Sequence, residues 1–241
     1  SIMMEVDLSG PVKGSPARDN NQLFFISMDG RAQSYNPTDG RCLWATNIAE
    51  LTESTPAVDN GVVYLADFKG TARALDARTG ATLWAAELGA EFARCPVVTA
   101  DRVLFGCSDG TLTVLNRADG AKVWSLKANS RFCYEPMVLG DKVLYFEDTR
   151  AMLASLADGS TAKVQALVTP KEDRTVGPGD FALGNDPLVS ISYYKGRLIF
   201  VPRHGNYGHD TWQPNAVWHP LGGTFVVLSP KFETPAAEVK K

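Results

Sequence analysis

The 241-residue chain carries 24 basic and 27 acidic side chains, a formal net charge of −3, with both signs interspersed. This pattern excludes the basic stripe that holds a phosphate backbone, so we expect no nucleic-acid partner. No apolar run approaches the roughly 18 residues that a membrane-spanning helix needs, and 21 glycines with 14 prolines favour a turn-rich, all-β protein.

Proline, tryptophan and glycine recur along the chain at a spacing of forty residues. The recurring positions are Pro16, Pro56, Pro96 and Pro136; Trp44, Trp84 and Trp124; and Gly40, Gly80 and Gly120, with Gly159 one residue early. A period of about 20 to 50 residues is typical of proteins built from repeated units. The sequence therefore predicts successive copies of one structural unit.

Each unit has the pattern of four short strands, most clearly in the second repeat. We expect strands at 56–58, 62–65, 71–75 and 82–86, because β-branched and aromatic residues there suit a pleated sheet. Glycines lie in the turns between these strands, where they supply the positive φ that tight hairpins need. A four-stranded antiparallel sheet of this kind has two apolar faces and has to stack on neighbouring copies.

The fourth repeat departs from this pattern. Its tryptophan position falls near Lys163, and Thr149-Arg150 replaces the usual Asp-Gly turn. Because the bulky outer-strand side chain is missing, we expect a weaker contact between this unit and its neighbour.

The fifth repeat lacks its outermost strand. Residues 191–200 predict two strands around Lys195-Gly196, and residues 223–228 predict the third. The segment 2–8 is in register with an outermost strand, since Met4 lies twelve residues before Pro16, the spacing that separates Trp44 from Pro56. The N-terminus is therefore a candidate to complete the last unit, which would also remove exposed sheet edges.

These patterns predict an all-β fold, a β-propeller of four-stranded antiparallel blades, with five blades and an N-terminal strand that closes the last one. We expect a single domain over residues 1–231, with residues 232–241 as a C-terminal tail. The predicted blades cover about 10–49, 50–89, 90–129, 130–168, and 189–231 together with 2–9.

The repeat resembles that of a known family. The run Leu75-Asp76-Ala77-Arg78-Thr79-Gly80-Ala81-Thr82-Leu83-Trp84 is similar to the pyrroloquinoline-quinone (PQQ)-like propeller repeat, and the likeness is specific over residues 16–129. The resemblance implies that Trp44, Trp84 and Trp124 dock between blades. It also implies a bacterial protein that is periplasmic or secreted, although the residues themselves leave a cytoplasmic location open.

Two insertions interrupt the forty-residue spacing, at about 169–188 and at 204–222. The first joins one blade to the next, and the second joins the second and third strands of the last blade. Both kinds of connection emerge on the same face of a four-stranded blade, so we expect one composite surface. Long loops on a rigid scaffold commonly carry function.

The second insertion contains all three histidines of the chain, two of its five tryptophans and a tyrosine. The candidate binding residues are His204, Asn206, Tyr207, His209, Asp210, Trp212, Trp218 and His219. Aromatic and amide side chains on a protruding loop favour a protein-contact surface. The alternative is a loop that folds over the propeller face, where Trp212 and Trp218 cover apolar surface.

A metal site in this insertion has weaker support. The histidines and Asp210 are chemically suited to zinc, but the spacing between His204 and His209, and between Asp210 and His219, matches no standard ligand motif. We therefore predict no metal site.

The chain carries no recognisable catalytic motif, neither G-x-S-x-G, nor a phosphate-binding loop, nor H-E-x-x-H. Its carboxylates are spread over turns, where we expect them to cap hairpins; these are Asp19, Asp39, Asp59, Asp109 and Asp119. The four cysteines form no C-x-x-C pair, which favours buried free thiols, or a disulfide if the compartment is oxidising.

The resulting functional prediction is a non-catalytic scaffold that binds another protein through the face carrying both insertions. Within the PQQ-like family it resembles, in a shorter form, the propeller of the lipoprotein of the bacterial outer-membrane β-barrel assembly machinery. The alternative is a propeller that binds a small ligand or carbohydrate. A quinoprotein dehydrogenase is less well supported, because that resemblance implies an adjacent cysteine pair and this sequence has none; we therefore predict no cofactor.

Overall fold

The computed structural model describes residues 8–19, 21–48, 54–91, 95–128, 135–147 and 150–163, and the backbone of three later strands within 188–228. All regular structure in these parts is β-strand. Over the same residues, there is no helix with the length and apolar character to cross a bilayer.

The first two sheets each contain four strands. The first sheet consists of β1 (Ala17–Asp19), β2 (Gln22–Ser27), β3 (Arg31–Tyr35) and β4 (Cys42–Asn47). The second consists of β5 (Ala57–Asp59), β6 (Val62–Ala66), β7 (Thr71–Asp76) and β8 (Thr82–Glu87). In both sheets, neighbouring strands pair antiparallel in chain order.

The third and fourth sheets repeat this arrangement, and a shorter sheet follows. The third contains β9 (Val97–Val98), β10 (Arg102–Gly106), β11 (Thr111–Asn116) and β12 (Lys122–Lys127). The fourth contains β13 (Met137–Leu139), β14 (Lys142–Glu147), β15 (Arg150–Ser155) and β16 (Thr161–Lys163). The last comprises β17 (Leu188–Tyr194), β18 (Arg197–Pro202) and β19 (Val226–Leu228).

The strands predicted in the second repeat agree with the structure to within one residue at each end. The turn between β5 and β6 shows why the sequence was informative there. Asn60 and Gly61 both adopt positive φ, 48° and 74°, the conformation of the tight hairpin turn in which Asn-Gly is strongly favoured.

The sheets stack face to face, which confirms the predicted propeller class. One core cluster joins Phe24 and Ile26 of the first sheet to Val63 and Leu65 of the second. Successive residues of a strand point to opposite faces of the sheet. Tyr64 therefore packs on the other face of the second sheet, in the core shared with the third sheet. The first strands lie against one another, β1 against β5 and β5 against β9, and therefore line the axis.

A register shift precedes each outer-strand tryptophan in the first three blades. In the second blade, Ala74 pairs with Trp84 and Leu75 pairs with Thr82, which leaves Leu83 as the extra residue of a β-bulge. The bulge turns Leu83 outward, so that 54% of its surface is exposed, while Trp84 is only 8% exposed. The period-two pattern of the strand is therefore broken at the tryptophan.

The predicted departures of the last two blades fall largely outside the described residues and stay predictions. The outer strands β4, β8 and β12 have six residues each, and β16 is described over Thr161–Lys163, where a described range ends. The last sheet has three strands in the part of the chain that the structure describes. The strand β17 begins at Leu188, so it starts earlier than the predicted residue 191.

The predicted closing strand lies almost wholly outside the described residues, which begin at Leu8. The segment that follows is in phase with the rest of the repeat. The Pro11 carbonyl accepts a hydrogen bond from the Met28 amide (2.8 Å), as Glu91 does from Ser108 (2.9 Å), eighty residues later. Residues 8–11 are therefore placed against the first blade as residues 88–91, which follow an outer strand, are placed against the third. This agreement favours the predicted closure, which stays a prediction.

Candidate binding surfaces

The blade seams are built around the repeated tryptophans. Trp44 donates its indole N–H to the Ala77 carbonyl of the next blade (2.8 Å) and Trp84 donates to that of Arg117 (3.0 Å). Trp124 donates in the same way to Leu156 (2.9 Å). Each hydrogen bond satisfies the one polar atom of a largely apolar side chain. These residues therefore hold neighbouring blades together, and their spacing is the spacing of the seams.

Each tryptophan ring lies directly over a glycine of the next blade. A Cβ atom built on Gly120 would meet Cε3 of Trp84 at 2.6 Å, and one on Gly80 would meet Cε3 of Trp44 at 2.5 Å. Gly159 is placed in the same way against Trp124. The repeated glycine therefore has two reasons to be glycine, the positive φ of its turn and the ring above it.

The two ends of the blades present different surfaces. We define the turn face as the end that carries hairpin turns such as 59–62 and 76–82 in the second blade. We define the crossing face as the end with the turns 67–71 and 107–111 and the segments, such as 88–91, that follow an outer strand. On the crossing face, Leu88 donates its amide to the Gly70 carbonyl (2.7 Å), and Ser108 donates to Glu91.

The predicted binding residues of the second insertion all lie outside the described residues. They are His204, Asn206, Tyr207, His209, Asp210, Trp212, Trp218 and His219. The structure gives the strands on either side, with β18 ending at Pro202 and β19 beginning at Val226. The connection from a second to a third strand belongs to the crossing face in every described four-stranded blade. The placement of both insertions on that face stays a prediction.

On the turn face, Arg117 joins the second and third blades. Its guanidinium donates to the Tyr64 hydroxyl (2.8 Å) and to the backbone carbonyls of Thr99 (2.9 Å) and Asp59 (3.0 Å), and it forms an ion pair with the Asp59 carboxylate. The guanidinium carbon also lies 5.6 Å from the centre of the Tyr64 ring. The Arg117 side chain is 13% exposed and that of Asp59 is 45% exposed, so the guanidinium is largely buried while its carboxylate partner meets water.

This network shifts the pKa values of Arg117 and Tyr64. Burial would lower the pKa of Arg117, but its hydrogen bonds to Tyr64 and Asp59 outweigh that effect and hold the pKa above its usual value. Burial raises the pKa of Tyr64, and Arg117 opposes part of that rise. At neutral pH the pair is a permanently charged guanidinium and a neutral phenol.

Two of the turn-face seams between described residues open into grooves. The groove between the first two blades has a volume of about 660 Å³ and is lined by Asp19, Asn21, Gln22, Asn36, Leu43, Asn60, Gly61, Asp76, Ala77 and Arg78. The groove between the second and third blades, about 370 Å³, is lined by Val62, Tyr64, Leu83, Trp84, Ala100, Asp101, Arg102, Asn116, Arg117 and Ala118. Most lining residues of the first groove lie forty positions before a lining residue of the second groove.

Sequence reasoning placed five aspartates in turns as caps. Asp39, Asp109 and Asp119 do accept hydrogen bonds from backbone amides within their turns, at 2.9 to 3.0 Å. The carboxylate of Asp59 instead pairs with Arg117 of the next blade, and Asp19 lines the larger groove.

The role of Arg117 had a sequence signal that was missed: an arginine stands where the first two repeats have Pro37 and Ala77.

The cysteines and metal ligands have the following positions. Cys42 is exposed, Cys95 is half-buried and Cys107 is buried, and all three are free thiols; the expectation of burial is thus wrong for Cys42, which lies on an outer strand. Burial raises the pKa of Cys95 and of Cys107 to about 12 in each case. No group of three or more potential metal ligands occurs within the described ranges; Cys133 and the histidines lie beyond them.

Stacked four-stranded sheets, repeated every forty residues and joined by a tryptophan over a glycine, define a β-propeller of the PQQ-like repeat class. The sequence model of one family matches residues 1–67 and 28–217. That family is described as outer membrane protein assembly factor BamB, and the chain belongs to it.

Among solved structures, the chain is similar to BamB from Moraxella catarrhalis, with 20% sequence identity and a TM-score of 0.62. The match covers 79% of this chain and 58% of that one, so the chain spans less than two thirds of the length of this relative. The computationally designed Ika4 protein is also similar, at 17% identity and a TM-score of 0.49, covering 67% of this chain and 97% of that one. No curated protein matches the chain.

Proposed function

We propose that this protein is a non-catalytic scaffold that binds another protein through its crossing face. The observation that carries the proposal is membership of a family described as an assembly factor. The fold supplies a physical basis, because blades joined through outer-strand tryptophans form a rigid frame from which loops can project. By the same kinship, we propose a periplasmic location and a single propeller domain over residues 1–231.

The binding surface in this proposal is formed by the insertions 169–188 and 204–222. In the described blades, the crossing segments and the second-to-third-strand turns meet through hydrogen bonds such as that from Ser108 to Glu91. The insertions lengthen these same two kinds of connection. Tyr207, Trp212 and Trp218 would supply large contact areas at low cost in side-chain entropy.

Site-specific photo-crosslinking in the producing cells tests this proposal. A benzoylphenylalanine residue at position 207 should give discrete protein adducts. The same residue at Ser125, which is exposed on the outer strand β12, provides the matched control and should give none. Replacing both Trp212 and Trp218 by alanine should abolish the adducts from position 207 without lowering the unfolding temperature.

Two outcomes contradict the proposal. Equal adducts from positions 207 and 125 would mean non-specific contact. Absence of adducts from 207, combined with retention of the protein on a glycan array that depends on Trp212, would favour the carbohydrate-binding alternative.

A further inference from the structure

The repeat allows the two turn-face grooves to be compared position by position. Between the second and third blades, the groove is partly filled by the protein's own Arg117, which reaches back to Asp59. Forty residues earlier, the corresponding positions are Ala77 and Asp19. The groove between the first two blades therefore keeps the acidic residue of the pair but has a methyl group in place of the arginine side chain.

The two grooves also differ in volume, in the direction that this substitution predicts. The groove beside Ala77 has a volume of about 660 Å³ and the groove beside Arg117 about 370 Å³. Asp19 lines the larger groove, whereas the carboxylate of Asp59 is engaged by Arg117. The cleft that encloses a guanidinium in one seam is thus open to solvent in the other.

The charges around the larger groove favour a cation. Within the described parts of the chain, no basic side chain lies within 4.0 Å of the Asp19 carboxylate. The second acidic residue, Asp76, accepts hydrogen bonds from the Thr79 hydroxyl (2.7 Å) and from backbone amides of its turn. Arg78 is exposed in the lining and forms no ion pair with Asp19, so it leaves that carboxylate accessible.

We propose that the groove between the first two blades binds an arginine side chain of a partner protein. The carboxylate of Asp19 would receive the guanidinium as Asp59 receives Arg117, and the aliphatic stem would lie along Leu43 and Ala77. Arginine fits better than lysine, because its planar fork of N–H groups can engage a carboxylate and a carbonyl together. This contact lies on the turn face and goes beyond the proposed crossing-face surface, resting on the proposed function only in taking the partner to be a protein.

Titration with N-acetyl-arginine amide, followed by NMR of the ¹⁵N-labelled protein, tests the proposal. Saturable shifts are expected at the amides of Asn21, Gly61 and Ala77. The matched probe is N-acetyl-citrulline amide, which has nearly the same shape without the charge and should give no saturable shifts. Equal responses to both compounds, or no response to either, would overturn the proposal.

Four variants make the assignment specific. Asp19→Asn should weaken binding by about ten-fold or more, since a charge-assisted contact is lost. Ala77→Arg should abolish binding by placing an internal arginine in the groove. Arg117→Ala should create a second site, with new shifts at Ala100 and Ala118. Lys122→Ala is the control, because this exposed lysine of the third blade lies outside the lining of the groove, so its removal should leave binding unchanged.

The variants also separate structural damage from loss of the site. The unfolding temperature of Asp19→Asn identifies a variant that has not folded, and Arg117→Ala, which should gain binding, cannot be mimicked by misfolding. Unchanged affinity in folded Asp19→Asn, binding by Lys122→Ala that is as weak as that by Asp19→Asn, or no new shifts in folded Arg117→Ala would overturn the proposal. The double variant Trp212→Ala, Trp218→Ala should lose the crossing-face adducts from position 207 and keep arginine binding, so the two proposals can fail independently.

Discussion

The packing of Trp84 on Gly120 should make this glycine far more sensitive to substitution than a glycine with the same backbone conformation elsewhere. Gly120 and Gly61 have φ values of 73° and 74°. A Cβ on Gly120 would meet the Trp84 ring at 2.6 Å, whereas a Cβ on Gly61 would have no atom within 4 Å. The two positions therefore separate the cost of the backbone from the cost of the contact.

The expected losses follow from these two contributions. Placing alanine in the left-handed region costs about 1 to 2 kcal/mol, and this is the whole expected effect of Gly61→Ala. In Gly120→Ala, overpacking adds about 1 to 3 kcal/mol, for a total of about 2 to 5 kcal/mol. The ring cannot move aside freely, because it is buried and its indole N–H is bonded to the Arg117 carbonyl.

Urea unfolding of both variants measures the two free energies directly. For a chain of this size, each kcal/mol corresponds to about 2 to 4 °C in the unfolding temperature, so thermal scans provide a second measurement. In a Trp84→Leu background, the effect of Gly120→Ala should shrink toward that of Gly61→Ala, since the ring is gone. Equal losses for the two glycine variants in the wild-type background would refute the reasoning.

Three further predictions concern ionisable and reactive side chains. Arg117→Ala should lower the free energy of unfolding by about 2 kcal/mol in urea, because charged hydrogen bonds between two blades are lost, and a loss below about 0.5 kcal/mol, typical of a surface change, would contradict the described network. Iodoacetamide at pH 8 should alkylate Cys42 and spare Cys107, since burial raises the pKa of Cys107 to about 12; peptide mass spectrometry checks this, and equal labelling would count against it. Hydrogen bonds from Thr79 hold the pKa of Asp76 below its usual 3.8, so its contribution to stability is complete above pH 3.8 and is lost as the pH falls through the lower folded-state value. Below about pH 4, the unfolding temperature should therefore drop more steeply in the wild type than in Asp76→Asn, and parallel curves would exclude this role.

The parts of the fold that follow from local chemistry were predictable. The Asn60-Gly61 turn and the strands beside it were anticipated to within one residue, because a tight hairpin restricts both its sequence and its length. The bulge that turns Leu83 outward was not anticipated. It depends on Trp84 reaching across to the Arg117 carbonyl, a contact between residues 33 positions apart.

The candidate sites divide in the same way. The aromatic insertion around Trp212 was found from composition alone, and its placement stays a prediction. The turn-face groove was not found, because Asp19 is one of five similar aspartates in the sequence. Its distinction from Asp59 appears only when the partner of each carboxylate is known.

The sequence by itself determined the repeat, the strand order within each blade and the propeller class, because these follow from patterns that recur every forty residues and from turns encoded over a few neighbours. Only the tertiary structure decided which side chains meet across a seam. Ala77 and Arg117 occupy equivalent positions in the repeat, and the physical difference between an open groove and a filled one arises from what each side chain contacts on the adjacent blade.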